Sequence, residues 1–285
     1  MAKKLTIALV AIMLIVGFAI GLVISPLIIA QNGSGTTDTV WNHIQQTKTI
    51  RVGTDPTWPP YQERDPNNSS KIIGFEVDLA NAAAAKLGLQ IQWVDSNFDD
   101  IITSVQGGQL DMGVSGFSIT TARLQQVSFT IPHSVSQSQI IMLKSAIDKY
   151  HISTHPATIT SLSQLKDLGI TVGTQTGEVE QTELQDAGVA THAWTDSSSA
   201  VMDMVSSNPS VQAVYAETPV TNAWIDQYAA KGFDIQVVYS HPYYPVAFVV
   251  AKGSHTFLDQ MNGALTELIA DGTVDQLKAT WHAET

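Results

Sequence analysis

One segment of the chain combines the groups that bind an anion. Residues 115–123 read Ser-Gly-Phe-Ser-Ile-Thr-Thr-Ala-Arg, so that a strand runs out into a hydroxyl-rich helix start. Hydroxyls, backbone N–H groups and the guanidinium of Arg123 can converge there on a carboxylate. The competing interpretation is that Arg123 is a solvated helix residue and that Thr120 or Thr121 only caps the helix.

A second donor-rich loop spans residues 173–178, with the sequence Gly-Thr-Gln-Thr-Gly-Glu. It joins a strand that ends at Gly173 to a helix that starts near Glu178, and such a turn can aim N–H groups at an anion. The loop lacks both the glycine spacing of a dinucleotide site and the lysine of a phosphate loop, which disfavours a nucleotide. An ordinary turn would have the same composition.

A carboxylate follows the predicted buried strand 211–216. Ligands of open α/β sheets usually bind at the carboxyl ends of the strands, so Glu217 is the candidate counter-ion for an ammonium group. The alternative is that Glu217 lies in a first helical turn, where it complements the helix dipole, with Pro219 at an early helical position.

Aromatic residues that could enclose a ligand occur at two places. Trp58 lies in the segment 55–61, Asp-Pro-Thr-Trp-Pro-Pro-Tyr, and Phe98 begins a helix after a loop. Such side chains can sandwich a ligand, although most aromatic residues belong to a core. Asp55 follows a strand and either caps the turn or contacts the ligand. An arginine, a carboxylate and apolar walls are the groups that a free amino acid requires.

Signatures of catalysis and of metal binding are weak. Residues 113–117 miss the nucleophile elbow because the second glycine comes one position early. His151 and His155 have i, i+4 spacing but lack the glutamate of a zinc-protease helix and precede Pro156, which favours a loop. The chain has no cysteine and hence no thiolate nucleophile. We expect no enzyme activity, no cofactor and no metal.

Charge and hydropathy limit the partners and the location. The 285 residues include 26 acidic and 14 basic side chains, a net charge of −12, which argues against nucleic acid as a partner. Residues 5–30 are uncharged and mostly apolar, long enough to span a bilayer, and follow two lysines. We interpret residues 1–30 as a signal anchor, or alternatively as a cleaved signal peptide, and residues 31–47 as a linker. Either interpretation places the remainder outside the cytoplasm.

The elements that position these groups alternate between strand and helix. Runs of β-branched residues predict strands near residues 49–54, 90–94, 170–173 and 211–216. Helical periodicity predicts helices over residues 75–87, 98–106, 255–270 and 274–281. This alternation is typical of parallel sheets with helices on their faces.

The chain resembles the polar amino-acid-binding family of bacterial and archaeal transporters, which includes the glutamine-, histidine- and lysine/arginine/ornithine-binding proteins. The most specific match is Gly-Phe-Glu-Val-Asp-Leu at residues 74–79, followed by Ala83, Ala84 and Leu87. Supporting segments occur in the family's order at residues 55–61, 107–111, 129–130 and 262–265, with Gly272 and Trp281 at the end.

The resemblance implies a set of ligand contacts. The carboxylate of the ligand would be held by Gly116, Ser118, Arg123, Thr176 and Gly177, and its side chain would lie between Trp58 and Phe98. The family normally binds the ammonium through an aspartate, and the matching position here is Glu217, one methylene longer. Glutamine-binding members carry a lysine where this chain has Gly173, so the acidic side chain of a ligand would lack a cationic partner at this position. Asp55 and the acidic surface therefore favour a polar or cationic amino acid.

The fold that the resemblance implies is α/β with two lobes, of the type II periplasmic-binding-protein class, with a mixed sheet in each lobe and a two-strand hinge. Lobe 1 would comprise residues 48–133 and 246–285, and lobe 2 residues 138–240. The chain would cross between them near residues 133–137 and 241–245. Such a protein closes on an amino acid and delivers it to the permease of an ABC transporter in the membrane.

Two other functions have sequence support. Some relatives of this fold are exported cyclohexadienyl dehydratases, which place a catalytic glutamate three residues beyond the aspartate position; that place holds Val220 here. The same domain also serves as the ligand-binding module of sensors. No kinase or channel segment follows Trp281, so a sensor would need a separate partner to pass on its signal.

Overall fold

Two mixed β-sheets form the framework of the molecule. The computed structural model describes residues 38–155 and 157–283. The strands are β1 (Thr49–Thr54), β2 (Thr57–Trp58), β3 (Gln62–Asp65), β4 (Asn68–Ile73), β5 (Gln90–Asp95), β6 (Met112–Gly113), β7 (Val127–Phe129), β8 (Ser134–Leu143), β9 (Thr171–Gln175), β10 (Ala190–Trp194), β11 (Ala213–Glu217), β12 (Ile235–Val246) and β13 (Val249–Ala251).

Helices follow most of the parallel strands. They are α1 (Thr39–Thr47), α2 (Phe75–Lys86), α3 (Phe98–Gln106), α4 (Thr121–Gln126), α5 (Lys144–Lys149), α6 (Ser163–Asp167), α7 (Val179–Asp186), α8 (Ser197–Met204), α9 (Thr218–Ala229), α10 (His255–Ala270) and α11 (Thr273–Trp281). The predicted strands and helices all occur, with bounds that differ by a few residues at most.

The first sheet has the strand order β5-β1-β6-β13-β7. Strand β1 is parallel to β5 and β6, whereas β13 is antiparallel to β6 and β7. Phe75 and Leu79 of α2 pack in one core with Phe257 of α10. The segment that includes Asp55 and Trp58 follows directly after the carboxyl end of β1.

The second sheet has the strand order β10-β9-β11-β8-β12. Strand β9 is parallel to β10 and β11, whereas β8 is antiparallel to β11 and β12. Because β9 and β11 run side by side in the same direction, their carboxyl ends bring Gln175 and Glu217 to one edge of the sheet. All residues of β11 are buried.

The chain passes between the sheets twice, on neighbouring strands. Residues 130–133 lead from β7 into β8, and residues 247–248 lead from β12 into β13. Strands β8 and β12 pair from Leu143 opposite Ile235 to Ser134 opposite Val246. Two mixed sheets joined by two strands confirm the predicted fold class.

The backbone conformation of Gly74 explains why the most specific sequence motif, residues 74–79, begins with glycine. It precedes α2 with a φ angle of 139°, and a Cβ atom there would lie 2.2 Å from the carbonyl oxygen of Tyr61. The N–H groups of Phe75 and Glu76 donate to the carbonyls of Pro60 and Tyr61. The first turn of α2 is thus bound directly to the segment that carries Trp58.

The structure corrects one predicted boundary. Within the segment that the sequence assigns to the linker, residues 39–47 form helix α1. Asp38 caps this helix and also accepts hydrogen bonds from the N–H groups of Thr256 and Phe257 at the start of α10. Ile44 is fully buried, so burial and capping, which connect residues far apart in the chain, stabilise a helix inside the predicted linker 31–47.

The predicted signal segment, residues 1–30, and residues 31–37 of the predicted linker lie outside the described residues. Within residues 38–155 and 157–283, no helix combines the length and the apolar character that crossing a membrane requires.

Candidate ligand-binding cleft

Arg123 lies between the two lobes. Its N–H donates to the Thr120 hydroxyl, which caps α4, so the predicted capping role of Thr120 is correct. The guanidinium, with only 8 % of the side chain exposed, is not solvated. It donates to the carbonyl oxygens of Ser118 and Gly177 and to Oε2 of Glu178, each at 3.1 Å. Arg123 therefore joins the loop after β6 to the loop after β9.

Aromatic rings surround the guanidinium. Its Cζ lies 5.2 Å from the centroid of Phe98 and 5.5 Å from that of Phe117. Phe98 in turn stacks on Trp58 with an interplanar angle of 6°. Phe98 and Trp58 are both buried, as the core interpretation predicts, and Phe98 also lines the open space beside Arg123. Rings around a desolvated cation stabilise it through their π faces.

Gly116 and Ser118 approach the same place through their backbones. Gly116 has a φ angle of 64°, and a Cβ atom there would lie 3.1 Å from the ring of Trp58. Its N–H donates to the Glu76 carboxylate at 2.7 Å, and the other oxygen of Glu76 contacts the His133 ring. Ser118 is buried and contributes its carbonyl oxygen to Arg123.

Asp55 belongs to a network that crosses the cleft. Its carboxylate accepts a hydrogen bond from the Thr57 hydroxyl, so Asp55 caps the turn as one of its two predicted roles requires. The carboxylate also accepts a hydrogen bond from the side-chain amide of Gln175 in the opposite lobe. The same Gln175 accepts the indole N–H of Trp58 at 2.5 Å. Burial raises the pKa of Asp55 to about 6.

The loop after β9 reaches Arg123 in a way that the sequence does not predict. The N–H of Thr176 donates to the carbonyl of Trp194, and the N–H of Gly177 donates to Gln181. Gly177, with a φ angle of 83°, instead presents its carbonyl oxygen to Arg123. The predicted N–H contacts at Thr176 and Gly177 are thus made within lobe 2 in this structure.

Glu217 is buried at the end of β11 and is the N-cap residue of α9. It forms part of a group that we call the glutamate triad, Glu178, Glu180 and Glu217. Each member offers a carboxylate oxygen, and these oxygens all lie within 4.8 Å of one another. The structure therefore brings Glu217 to the cleft, next to two acids that the sequence pattern does not place there.

Burial raises the pKa of each triad member. For Glu178 burial is the largest effect and raises the pKa to about 8, although Arg123 acts in the opposite direction. For Glu180 and Glu217 burial again dominates, and neighbouring carboxylates raise the pKa further. Like charges in a desolvated place favour the protonated form of at least part of the group.

We expect the protein without ligand to lose stability as the pH rises from about 4.5 to about 8. Over this interval the folded state holds protons on the triad that the unfolded chain has released, so that a higher pH favours unfolding. Thermal unfolding measured at steps of pH tests this, and Glu178→Gln should flatten the decline. A melting temperature that stays constant or increases across the interval would contradict the expectation.

Three residues of the cleft were missed: Gln175, Glu178 and Glu180. All three lie in or next to the donor-rich loop 173–178, which was identified, but acids at a helix start ordinarily complement the helix dipole in solvent.

Trp58, Glu178 and Glu180 line a narrow space between the lobes that has no room for a water-sized molecule. A wider cleft of about 430 Å³ opens beside Arg123, between Phe98 and Tyr244.

Comparisons with known proteins agree with this architecture. The model of the bacterial extracellular solute-binding proteins, family 3, matches residues 50–284. ABC transporter arginine-binding protein 1 of Escherichia coli is 27% identical over 236 residues, which cover 81% of this chain and 90% of that protein.

Two solved structures extend the comparison. An ancestral arginine-binding protein bound to arginine is 32% identical, with a TM-score of 0.72 and coverage of 82% of this chain and 98% of the other. An ancestral amino acid-binding protein described as a precursor of cyclohexadienyl dehydratase is 28% identical, with a TM-score of 0.73 and coverage of 84% and 98%.

Proposed function

Because this chain belongs to family 3 of the bacterial extracellular solute-binding proteins, we propose that it captures an amino acid between its lobes and delivers it to an ABC transporter. Capture takes place outside the cytoplasm. A ligand that contacts both lobes favours the closed form by its differential affinity for that form. The relatives described above are binding proteins, and no enzymatic step is part of this function.

The observation that carries the proposal is the carboxylate that Arg123 already holds. Oε2 of Glu178 accepts a hydrogen bond from the guanidinium at 3.1 Å, in a buried place bounded by aromatic rings. The α-carboxylate of an amino acid is the same chemical group and would take the position of Glu178. Charge-assisted hydrogen bonds of this kind are the strong ones in a desolvated site.

The remaining contacts follow from the predicted site. The carboxylate would be held by Gly116, Ser118, Arg123, Thr176 and Gly177, and Glu217 would receive the ammonium. Trp58 and Phe98 would enclose the side chain of the ligand, and Asp55 would meet a polar or cationic end of it. Rearrangement of the N–H groups of Gly116, Thr176 and Gly177 away from their internal acceptors would accompany binding.

Closure would take place about two crossings, near residues 133–137 and 241–245. Lobe 1 would comprise residues 48–133 and 246–285, and lobe 2 residues 138–240. The pairing of β8 with β12 supports this division, because it is the connection that both crossings share. Residues 5–30 would anchor the protein to the membrane beside its permease.

Calorimetric titration and thermal unfolding of the full chain with a panel of amino acids test the proposal. Arginine and lysine are expected to bind more tightly than glutamate. At a ligand concentration of 100 times the dissociation constant, the bound form should gain about 2.7 kcal/mol of stability. If no amino acid of the panel releases heat or shifts the unfolding temperature, the proposed function is wrong. Turnover of prephenate or arogenate would instead favour the dehydratase alternative.

A further inference from the structure

The glutamate triad supplies three carboxyl groups, whereas an α-ammonium group needs only one counter-ion. Glu178 and Glu180 come from the start of α7, and Glu217 comes from the end of the neighbouring strand β11. The side chains of all three are buried, with about 2 % of each residue exposed. Burial of three adjacent carboxyl groups is costly unless cations or protons balance them.

Two atoms of the triad lack a hydrogen-bond partner. Oε2 of Glu178 accepts from Arg123, and Oε1 of Glu180 accepts from the Ser138 hydroxyl. Within the described part of the chain, Oε1 of Glu178 and Oε2 of Glu217 are fully buried and have none. Buried polar atoms are almost always paired, so an orphaned oxygen on each of two neighbouring carboxyl groups indicates a place for donors from a ligand.

Charged and titratable groups face the triad from several elements. Arg123 of α4 is the neighbouring cation, and Glu183 of α7 adds another negative charge. The hydroxyl groups of Tyr215 and Tyr61 interact electrostatically with Glu180 and Glu217, respectively. The triad and Arg123 together would carry a charge of −2 when all four side chains are ionised, without counting Glu183. A neutral zwitterion leaves this charge unchanged, whereas a ligand with an additional cationic group reduces it.

We propose that the glutamate triad is a subsite for the cationic groups of the ligand, which enter it in exchange for protons and so make the cleft select ligands with a net positive charge. This inference rests on the proposed function. It assigns Glu178 and Glu180, besides the predicted Glu217, as specificity-determining residues. Glu178 and Glu180 lie beside Trp58 and Trp224, and the rings suit an ammonium or guanidinium group and its aliphatic stem once the lobes separate to admit it.

An organic cation fits the triad better than a metal ion. Arg123 lies 3.1 Å from Glu178, and a divalent ion in the same group of oxygens would be repelled by that guanidinium at short range. An ammonium or guanidinium group has smaller charge density and donates several hydrogen bonds, which the two orphaned oxygens can accept.

The test is calorimetric titration of the full chain with arginine, glutamine and 1,5-diaminopentane in buffers of different ionisation enthalpy. Arginine and the diamine should release more protons than glutamine, and arginine should bind at least ~5-fold more tightly near pH 8 than near pH 6. Glu180→Gln should weaken arginine by ~10-fold or more and leave glutamine within about threefold. The exposed Glu267→Gln is the matched control and should change neither affinity.

Each outcome decides the inference. Equal proton release and equal pH dependence for arginine and glutamine would overturn it while leaving amino-acid binding intact. Binding of the diamine with proton release, in the absence of binding by any amino acid, would support the subsite and reject the proposed function. Stabilisation by calcium or magnesium that Glu180→Gln abolishes would identify a metal site and overturn the assignment. Thermal unfolding of Glu180→Gln establishes that the variant is folded.

Discussion

Replacement of Arg123 with alanine is expected to lower the affinity for an amino acid by at least ~100-fold while the fold survives. The guanidinium is buried, is bounded by Phe98 and Phe117, and holds a carboxylate. Its removal deprives the α-carboxylate of the ligand of its charge-assisted partner. Glu178 also loses its partner, but burial already raises its pKa to about 8, so it can take up a proton rather than unfold the protein.

Calorimetry with arginine measures this effect, and circular dichroism establishes that the variant is folded. Arg64→Ala is the matched control, because Arg64 is about half exposed and its partner Asp95 is equally exposed. This control should bind as the unmodified protein does. Undiminished affinity of Arg123→Ala would mean that the ligand carboxylate binds elsewhere, and the proposed site would be abandoned.

Replacement of Gly74 with alanine is expected to lower the free energy of unfolding by more than about 3 kcal/mol. The φ angle of 139° is unfavourable for any residue with a Cβ atom, and that atom would lie 2.2 Å from the backbone oxygen of Tyr61. Relief requires α2 to move away from the segment that carries Trp58. Both stability and ligand affinity should therefore decrease.

Chemical denaturation compares this variant with two glycine controls. Gly88 has a φ angle of 66° but open space around it, so Gly88→Ala should cost only about 1–2 kcal/mol. Gly263 lies within α10 with open space, so Gly263→Ala should stabilise by about 0.5–1 kcal/mol. If Gly74→Ala and Gly88→Ala cost the same, the contact with Tyr61 does not constrain the backbone.

The sequence predicted the elements well because their periodicity reports local burial. The α2 pattern identified Phe75 and Leu79, and both are fully buried. Residue type and position, together with the family likeness, identified Arg123, Trp58, Phe98 and Glu217, which the structure brings close together. These residues follow strands whose carboxyl ends meet, a rule that can be applied without coordinates.

What the sequence did not predict depends on packing between distant segments. Glu178 and Glu180 have the spacing of solvent-facing acids at a helix start, but both are buried, where Glu178 accepts a hydrogen bond from Arg123 and Glu180 accepts one from Ser138. Helix α1 lies in the predicted linker because Asp38 caps both it and the start of α10. Neither fact is encoded in local composition.

The hydrogen bonds between β8 and β12 determine which relative movements of the two lobes cost little energy. Hydrogen bonds across two adjacent strands resist sliding of one strand along the other, whereas flexing of the ribbon out of its own plane breaks few of them. The register shifts between Val237 and Tyr239 and between Ser240 and Tyr243 interrupt the ladder near its middle. We therefore expect bending stiffness to be lowest beside the shift between Ser240 and Tyr243, which falls at the second predicted crossing, and we expect the lobes to move mainly by rotation there.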